Sequence, residues 1–436
     1  MRKLRKIIII AAALLLLGGC SGFQLKSVES LMSPPTPFGK YSELLQAFKN
    51  SVDSSALVLV PLEDSSQGAV FDFDADLDGE VDSALIVYSL GDAENAKLRF
   101  ALYYLVGEDW RLLLDEEGAG NTYAWAKSTD MPGYGSCQLL ICWGNVAGDY
   151  TLGVWDYSGL LEREGTPPVL SQAGSVVGES FCLADIDADK SQELFYVRRD
   201  SVDGIARAWG NVLELAEDRA SLTQLARVSM DGGVSGYGKV QIEKSTAGDR
   251  LYVNAYKGAD AMITELLEYN AGQKALLDLT VDPQNLVNIA TLRPAGFLAQ
   301  DVDGDGSLEI PVSVDMDELD NPQLTAEHLP AISWQRWTAD GAEEVIMSVV
   351  SRSLGVILRT DTEPLSFCTF MNSDSGNGLL ALIDGQRQFE INPSTDGLEG
   401  KNLTNGGKSI TLSVSTEGGL SGISEEMLEK NLIWLV

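Results

Sequence analysis

The chain has 436 residues and a formal net charge of −33, from 64 acidic and 31 basic residues. Such a surface repels nucleic acid and anionic polymers and attracts cations, which argues against nucleic-acid binding. Because 44% of the residues are hydrophobic, the chain is a folded protein and not an acidic disordered one. Its length suits two or three average domains or one large all-β domain.

Residues 1–19 are predicted to be a signal peptide. Four basic residues precede an apolar run over residues 7–17, which is too short for a transmembrane helix but typical of a signal-peptide core. The segment ends in Leu-Gly-Gly-Cys at residues 17–20. This resembles the lipobox of bacterial lipoproteins, which implies that Cys20 receives a diacylglyceryl group and becomes the new N-terminus. The alternative is an ordinary secretory signal with a chance cysteine.

Two acyl chains make a stable membrane anchor, at about 0.8 kcal/mol per buried methylene. No later segment of the sequence is long and apolar enough to cross a membrane. We therefore expect a monomeric protein that is tethered by lipid to the extracytoplasmic face of the cell membrane.

The remaining cysteines are Cys137, Cys142, Cys182 and Cys368. The first two lie in the segment SCQLLICW, which is predicted to be one strand. Five residues at about 3.3 Å each separate them by roughly 16 Å and place them on opposite faces, so they cannot bond to each other. Buried free thiols, as in an organism living without oxygen, are favoured over a disulfide framework, but the sequence leaves the disulfide state open.

Secondary structure is predicted to change early in the mature chain. Residues 20–40 contain SPPTPF and are predicted to be a linker. The next segment, YSELLQAFKNSV from Tyr41, has apolar residues at helical spacing and predicts a short amphipathic helix. Beyond it, short alternating apolar runs broken by Gly, Asp, Asn and Ser indicate an almost entirely β chain.

One acidic pattern occurs three times. The segments DADLDGEVD from Asp74, DIDADKSQE from Asp185 and DVDGDGSLE from Asp301 share the form D-x-D-x-D-x-x-x-(D/E), and a strand-like run follows each. The intervals of 111 and 116 residues suggest a repeating unit of half that length.

Two degenerate copies are expected between these segments. DMPGYGSCQ, from Asp130, keeps the first acid, both glycines and the serine, but the other acids are replaced by Pro132, Tyr134 and Gln138. A further copy, expected near residue 243, is not recognisable, and STAGDRLYV is the nearest candidate.

A strand–turn–strand pattern repeats independently, at a mean interval of about 58 residues. That length suits four short strands and their turns, which is typical of a β-propeller blade. The sequence therefore predicts an all-β fold, with a β-propeller of about six or seven four-stranded blades whose propeller domain is residues 41–345. Residues 346–436 are expected to form either a final blade or a small C-terminal β domain. The strand-like segments 56–60 and 432–436 are expected to pair and complete one blade.

The acidic segments are predicted to bind metal. Acids at positions 1, 3 and 5 of a tight loop converge on one point, and an acid at position 9 can complete the shell. Ligands made only of oxygen indicate a hard cation, and six or more of them favour Ca²⁺ over Mg²⁺. The predicted ligands of this structural calcium are Asp74, Asp76, Asp78 and Asp82; Asp185, Asp187, Asp189 and Glu193; and Asp301, Asp303, Asp305 and Glu309.

Two alternatives bear on this metal prediction. A solvated acidic turn explains one such loop, but not three with the same internal spacing. Without a cation, two carboxylates about 4 Å apart repel by roughly 4 kcal/mol at an effective dielectric constant of 20. Asp72 offers a different ligand register at the first site.

The acidic loops do not have the pattern of EF-hands. An EF-hand needs a bidentate Glu at position 12 and flanking helices, whereas position 12 is Leu85, Tyr196 or Val312 here. The loops instead resemble those of FG-GAP or VCBS-type repeats. With the lipobox, the chain resembles the VCBS-repeat lipoproteins of Gram-positive anaerobic bacteria. This resemblance implies integrin-like propeller blades with structural calcium, and a binding module for an unknown extracellular protein or glycan.

No catalytic residue is predicted. His328 is the only histidine, and a lone histidine near a proline is more typical of a loop or of packing than of a Ser-His-Asp triad. Zinc chemistry lacks ligands, and the sialidase motif S-x-D-x-G-x-T-W is absent. The alternative that stays open is an extracellular, carbohydrate-active hydrolase with two carboxylates in the propeller channel.

Overall fold

A computed structural model describes residues 41–91, 96–133, 135, 137–158, 169–314, 329–373, 376–395, 398–415 and 422–435. The predicted signal peptide, Cys20, the linker and His328 lie outside these residues. Within them, no helix has the length and apolar character needed to cross a membrane.

The described residues form six antiparallel sheets of four or five strands. Sheet 1 contains β1 (Leu57–Val58), β2 (Phe71–Phe73), β3 (Ser83–Leu90), β4 (Lys97–Val106) and β5 (Asp109–Glu117). Sheet 2 contains β6 (Thr122–Thr129), β7 (Gln138–Gly144), β8 (Tyr150–Ser158) and β9 (Val169–Gly178). Sheet 3 contains β10 (Ser180–Ala184), β11 (Glu193–Val202), β12 (Ile205–Leu215) and β13 (Leu222–Met230).

The second half of the chain forms the other three sheets and two short helical turns. Sheet 4 contains β14 (Gly236–Glu243), β15 (Arg250–Lys257), β16 (Ala261–Asn270), β17 (Ala275–Asp278) and β18 (Arg293–Pro294). Sheet 5 contains β19 (Ile310–Ser313), β20 (Ala331–Thr338), β21 (Gly341–Ser351), β22 (Val356–Arg359) and β28 (Leu432–Trp434). Sheet 6 contains β23 (Thr369–Asn372), β24 (Leu379–Ile383), β25 (Gln386–Pro393), β26 (Lys401–Asn405) and β27 (Lys408–Val414). The helices are α1 (Tyr41–Ser51), a 3₁₀ turn (Leu365–Phe367) and α2 (Glu425–Lys430).

Hydrophobic clusters fill the space between each sheet and the next along the chain. Strand β7 illustrates the consequence, because it is buried along its whole length. Its Leu139 packs towards sheet 1 and its Leu140 packs towards sheet 3. A strand covered on both faces is apolar at consecutive positions. The result is an all-β protein whose sheets pack face to face in chain order, as the blades of a β-propeller do.

The predicted amphipathic helix is confirmed as α1. Its Leu44 and Phe48 pack on the face of sheet 1 that points away from sheet 2. The ring of Phe48 meets that of Tyr88 edge to face, with centroids 5.3 Å apart. Among the described residues, sheet 1 contributes to two hydrophobic clusters, one shared with sheet 2 and one shared with α1. Neither cluster includes a described residue of sheet 6. Helix α1 therefore covers the outer face of the first sheet.

The expected pairing of the two chain ends is wrong. Strand β1 pairs with β3 in sheet 1, whereas β28 pairs with β22 in sheet 5. The apolar side chains of β28 complete the core of sheet 5, where Ile433 packs on the cluster around Trp334. The domain boundary expected between residues 345 and 346 falls within strand β21. The division of the chain into a propeller and a C-terminal β region stays a prediction.

The four described cysteines are free. Cys137 lies in the cluster between sheets 1 and 2, and Cys142 lies in the cluster between sheets 2 and 3. The two therefore occupy opposite faces, as their odd spacing predicts. Burial raises the pKa of both thiols to about 12, so they are inert packing groups at neutral pH.

Candidate metal centres in the first hairpins

The three acidic segments occupy equivalent places in three sheets. Residues 74–82 join β2 to β3, and residues 185–193 join β10 to β11. Residues 301–309 lie between Gln300 and β19, and a β-bridge between Gln300 and Glu309 closes this loop. Each loop thus leads directly into a strand of an odd-numbered sheet, namely β3, β11 or β19, and we call these three segments the acidic loops.

The acidic loops share an unusual backbone. Their fourth and sixth residues adopt left-handed conformations. The φ angles are 60° at Leu77 and 98° at Gly79, 66° at Ala188 and 79° at Lys190, and 82° at Gly304 and 92° at Gly306. This backbone aims amide groups inward at the first aspartate. In the last loop, Gly304 and Gly306 donate to the two carboxylate oxygens of Asp301 at 2.7 and 3.0 Å.

Three of the four predicted ligands converge in each loop. One carboxylate oxygen from each of three residues lies within 4.8 Å of the others; the sets are Asp74, Asp76 and Asp78; Asp185, Asp187 and Glu193; and Asp301, Asp303 and Glu309. The predicted ligands Asp82, Asp189 and Asp305 lie outside these sets. Asp72 lies within β2 and accepts a hydrogen bond from Tyr41 at 3.0 Å, which favours the register beginning at Asp74.

The ninth residue closes each loop. Its carboxylate accepts the amide N–H of the second residue, at 2.8 Å for Asp82, 2.7 Å for Glu193 and 3.1 Å for Glu309. Burial is the main reason why the pKa of Asp82 rises to about 6 and that of Glu193 to about 8; it also raises the pKa of Glu309. A nearby cation would favour the charged form of these acids.

Two carboxylate oxygens in the acidic loops are buried without a hydrogen-bond partner among the described residues. They are Oδ2 of Asp82 and Oδ1 of Asp185. A buried unsatisfied acceptor costs about 1–3 kcal/mol, and more when it is charged. Converging carboxylates with unsatisfied oxygens, and no nitrogen or sulfur ligands among them, fit a hard cation such as Ca²⁺.

The acidic loop of sheet 5 has a feature that the others lack in the described residues. The guanidinium of Arg336, on β20, lies 3.1 Å from Asp303, 2.8 Å from Asp305 and 2.6 Å from Glu309. Ile310 pairs with Gln335, which sets Arg336 opposite Glu309. The arginine therefore supplies positive charge to the acids that best match the metal-binding pattern. No local sequence signal links Arg336 to the loop, because the strand register brings them together.

The corresponding hairpin of sheet 2 keeps the backbone and loses the charge. Gly133 and Gly135 also have positive φ, and both donate to Asp130, at 3.0 and 2.8 Å. Gln138 accepts the amide of the second residue, Met131, at 2.7 Å, as the acids do elsewhere. Residues 134 and 136, which the degenerate copy includes, lie outside the described residues.

The corresponding hairpin of sheet 4 lies between β14 and β15 and contains the predicted fifth candidate. Its buried Asp249 forms an ion pair with Lys244 at 2.6 Å. In β15, Arg250 pairs with Glu268 of β16 at 2.6 Å. Basic side chains thus neutralise the carboxylates of this hairpin.

The hairpin loops contact one another along one end of the molecule. Ser191 donates to the carbonyl of Pro132 at 3.3 Å, and the amide of Asp185 donates to Asp249 at 3.0 Å. Gly248 has a φ of 111° and lies so close to the carbonyl of Ile186 that no larger side chain fits. The loops of neighbouring sheets are therefore packed directly against one another.

A pocket that the sequence did not indicate lies at the opposite end of sheets 2, 3 and 4. It has a volume of about 330 Å³ and is lined by aromatic and charged side chains, among them Glu63, Trp125, Tyr150, Glu179, Phe181 and Lys239. We call it the aromatic pocket. Its residues come from the loop after β1 and from β6, β8, β10 and β14 with their flanks, so only the packing of sheets assembles it.

Comparison with known proteins gives fold-level likenesses alone. No family model matches the chain, and no curated protein matches it. Similar solved structures include Sqt1 from Chaetomium thermophilum, at 11% identity over 70% of this chain and 69% of that one, with a TM-score of 0.33. A protein from Lactobacillus plantarum is 11% identical over 70% and 81%, with a TM-score of 0.29. The GH32 β-fructofuranosidase BmSUC1 from Bombyx mori is 9% identical over 80% and 79%, with a TM-score of 0.27.

Proposed function

We propose that this protein is a cell-surface lipoprotein with a calcium-stabilised β-propeller that acts as a binding module. One observation carries the proposal: three acidic loops bring carboxylates together, and two of these loops leave a buried carboxylate oxygen without a hydrogen-bond partner among the described residues. The calcium ions are structural, because the acidic loops lie beside neighbouring loops and at the opposite end from the aromatic pocket.

The sequence supports the location of this module. The lipobox-like segment ending at Cys20 supplies the anchor. Extracellular modules bind calcium with dissociation constants of about 0.1–1 mM, which matches a site exposed to the medium. The chain acts as a monomer whose partner is an extracellular protein or a glycan.

Two measurements on the full chain, purified in detergent, test this proposal. Calorimetric titration with CaCl₂ is expected to give up to three sites, with binding much weaker for MgCl₂. Cys20→Ser is expected to release the protein from the membrane fraction and to remove the mass of the acyl chains. A folded protein that binds no calcium would contradict the metal proposal, and an unchanged membrane fraction would contradict the anchor.

A second function, an extracellular carbohydrate-active hydrolase, is favoured by one specific observation. Glu63 and Glu179 line the same aromatic pocket, and glycosidases use two carboxylates. Release of reducing sugar from a polysaccharide, lost in both Glu63→Gln and Glu179→Gln, would support this function. Activity that survives both substitutions would exclude it at this pocket.

A further inference from the structure

We propose that the aromatic pocket binds an uncharged carbohydrate, which names the ligand class of the binding module proposed above and rests on that function. The pocket lies at the end of the sheets away from the acidic loops. Strands β6, β10 and β14 run towards the hairpin loops, and Phe181 is the second residue of β10. A ligand there would leave the calcium loops undisturbed.

The aromatic walls of the pocket are held in place from behind. Trp125, Tyr150 and Phe181 pack against the hydrophobic cluster between sheets 2 and 3 and remain partly exposed. The ring of Phe181 also stacks on Tyr196, with centroids 6.3 Å apart and planes inclined by 23°. Fixed, partly exposed rings offer flat apolar surfaces without the entropy loss of ordering them, and the C–H faces of a sugar ring match such surfaces.

The acidic groups of the pocket are also positioned before any ligand arrives. Glu179 forms an ion pair with Arg199 at 2.6 Å and accepts the amide of Tyr237 at 3.3 Å. Glu63 follows a segment that bonds to the edge of sheet 2, where the Glu63 amide donates to the carbonyl of Ala124 at 3.1 Å.

The hydroxyl of Tyr150 donates to Glu63 and orients its carboxylate. A carboxylate has about four acceptor sites, so Glu63 and Glu179 can accept further hydrogen bonds from ligand hydroxyls. The pocket therefore combines rigid apolar faces with oriented acceptors, which is the set that a polyhydroxylated ring requires.

The balance of charge selects among ligand classes. Glu63 and Glu179 are matched by Arg199 and Lys239, so the pocket does not favour a cation over a neutral molecule. The whole chain carries −33 charges, which repels anionic polymers. The volume of about 330 Å³ is at the lower end of the range for ligand pockets. These features together favour a small, uncharged, hydroxyl-rich ligand, such as the end of a glycan chain.

The test uses the full, calcium-loaded chain and an array of neutral hexose and N-acetylhexosamine oligosaccharides, followed by calorimetry with the best binder. We expect Trp125→Ala and Glu63→Gln each to weaken binding at least tenfold. Glu63 is exposed, so its variant keeps the fold even if Trp125→Ala does not. The matched control is Trp209→Ala, which removes a partly exposed ring that stacks on Arg227 outside the pocket, and we expect it to leave binding within twofold.

Three results would overturn the proposal: no neutral oligosaccharide bound, binding indifferent to Glu63→Gln, or choline chloride bound in the pocket in place of sugars. The same samples are melted with and without calcium. A preserved calcium shift with no sugar binding would reject the ligand class alone, whereas a missing calcium shift would reject the proposed module.

Discussion

The acidic loops of sheets 1 and 3 differ in charge from the corresponding hairpins of sheets 2 and 4. In sheets 1 and 3, carboxylates converge with unsatisfied oxygens. In sheet 2, Gln138 makes the loop-closing hydrogen bond without a charge, and in sheet 4 Lys244 neutralises the buried Asp249. The comparison teaches that hydrogen bonds to the first and ninth residues set the loop conformation. The number of acids then sets the negative charge that each loop holds, and this charge is the basis of the proposed cation sites.

Sheet 5 lies between these two cases. It has the best match to the metal-binding pattern, yet Arg336 already contacts three of its acids. A calcium ion bound at this loop would compete with the guanidinium for the same carboxylates. The most complete motif therefore need not be the tightest site.

Calcium removal is expected to have the largest effect on stability. The effect is expected only at the acidic loops of the odd-numbered sheets. Each site filled at ten times its dissociation constant contributes about 1.4 kcal/mol, so three sites contribute about 4 kcal/mol. Thermal melts with CaCl₂ and with EGTA measure the difference. Equal melting temperatures in a protein with bound calcium would contradict a structural role.

A change of pH is expected to alter stability through Glu193 in sheet 3, but not through Gln138, which occupies the same loop position in sheet 2 and carries no charge. Burial raises the pKa of Glu193 from 4.5 to about 8, so the metal-free folded state keeps a proton that the unfolded state has released. Its contribution, on the order of a few kcal/mol, is present below pH 4.5 and is lost as the pH rises to 8.

Melts in EGTA between pH 5 and pH 8 measure this loss, which calcium should abolish because it stabilises the carboxylate. Glu193→Gln copies the residue found in sheet 2 and should remove the Glu193 share of the pH dependence, leaving a smaller loss from Asp82 and Glu309, whose pKa values burial also raises. A slope unchanged in that variant would assign the effect to other groups.

A substitution at one acidic loop is expected to remove the calcium-dependent stabilisation that one site contributes. Asp185→Asn should reduce the calcium-dependent stabilisation by about 1.4 kcal/mol, because Asp185 belongs to a converging set of carboxylates and has a buried oxygen without a hydrogen-bond partner among the described residues. Denaturant titrations with and without calcium give this difference.

The matched control for Asp185→Asn is Asp130→Asn in sheet 2. It should lose about 1 kcal/mol through its hydrogen bonds to Gly133 and Gly135. That loss should be the same in both conditions. If calcium altered the loss, the hairpin of sheet 2 would itself hold metal.

Removal of Arg336 is expected to have the smallest effect on stability. It tests whether the acidic loop of sheet 5 holds calcium as the loops of sheets 1 and 3 are proposed to do. Arg336→Gln should destabilise the metal-free protein by about 1 kcal/mol, since the side chain is partly exposed and screened by solvent. It should also tighten calcium binding at one site, as measured by calorimetry. Unaltered affinity at every site would show that the guanidinium does not compete with the ion.

Much of the fold was predictable from local patterns. The spacing of apolar residues from Tyr41 gave helix α1, and the odd interval between Cys137 and Cys142 placed them on opposite faces. The alternation of apolar runs and turns predicted blade-like sheets. The closure of the chain was mispredicted, because β1 and β28 are short apolar strands that any exposed sheet edge could accept. Packing on Trp334 and its neighbours selected sheet 5 for β28.

The sequence by itself determined the loops, because the positions of aspartate and glycine fix the local backbone and the direction of its amides. Only the tertiary structure decided which charges meet across strands and sheets. Arg336 reaches Glu309 through strand register, and Trp125, Phe181 and Glu63 share a pocket because three sheets pack in succession. The physical reason is that local dihedral preferences act within a few residues. Contacts between distant segments are selected by burial of the whole core.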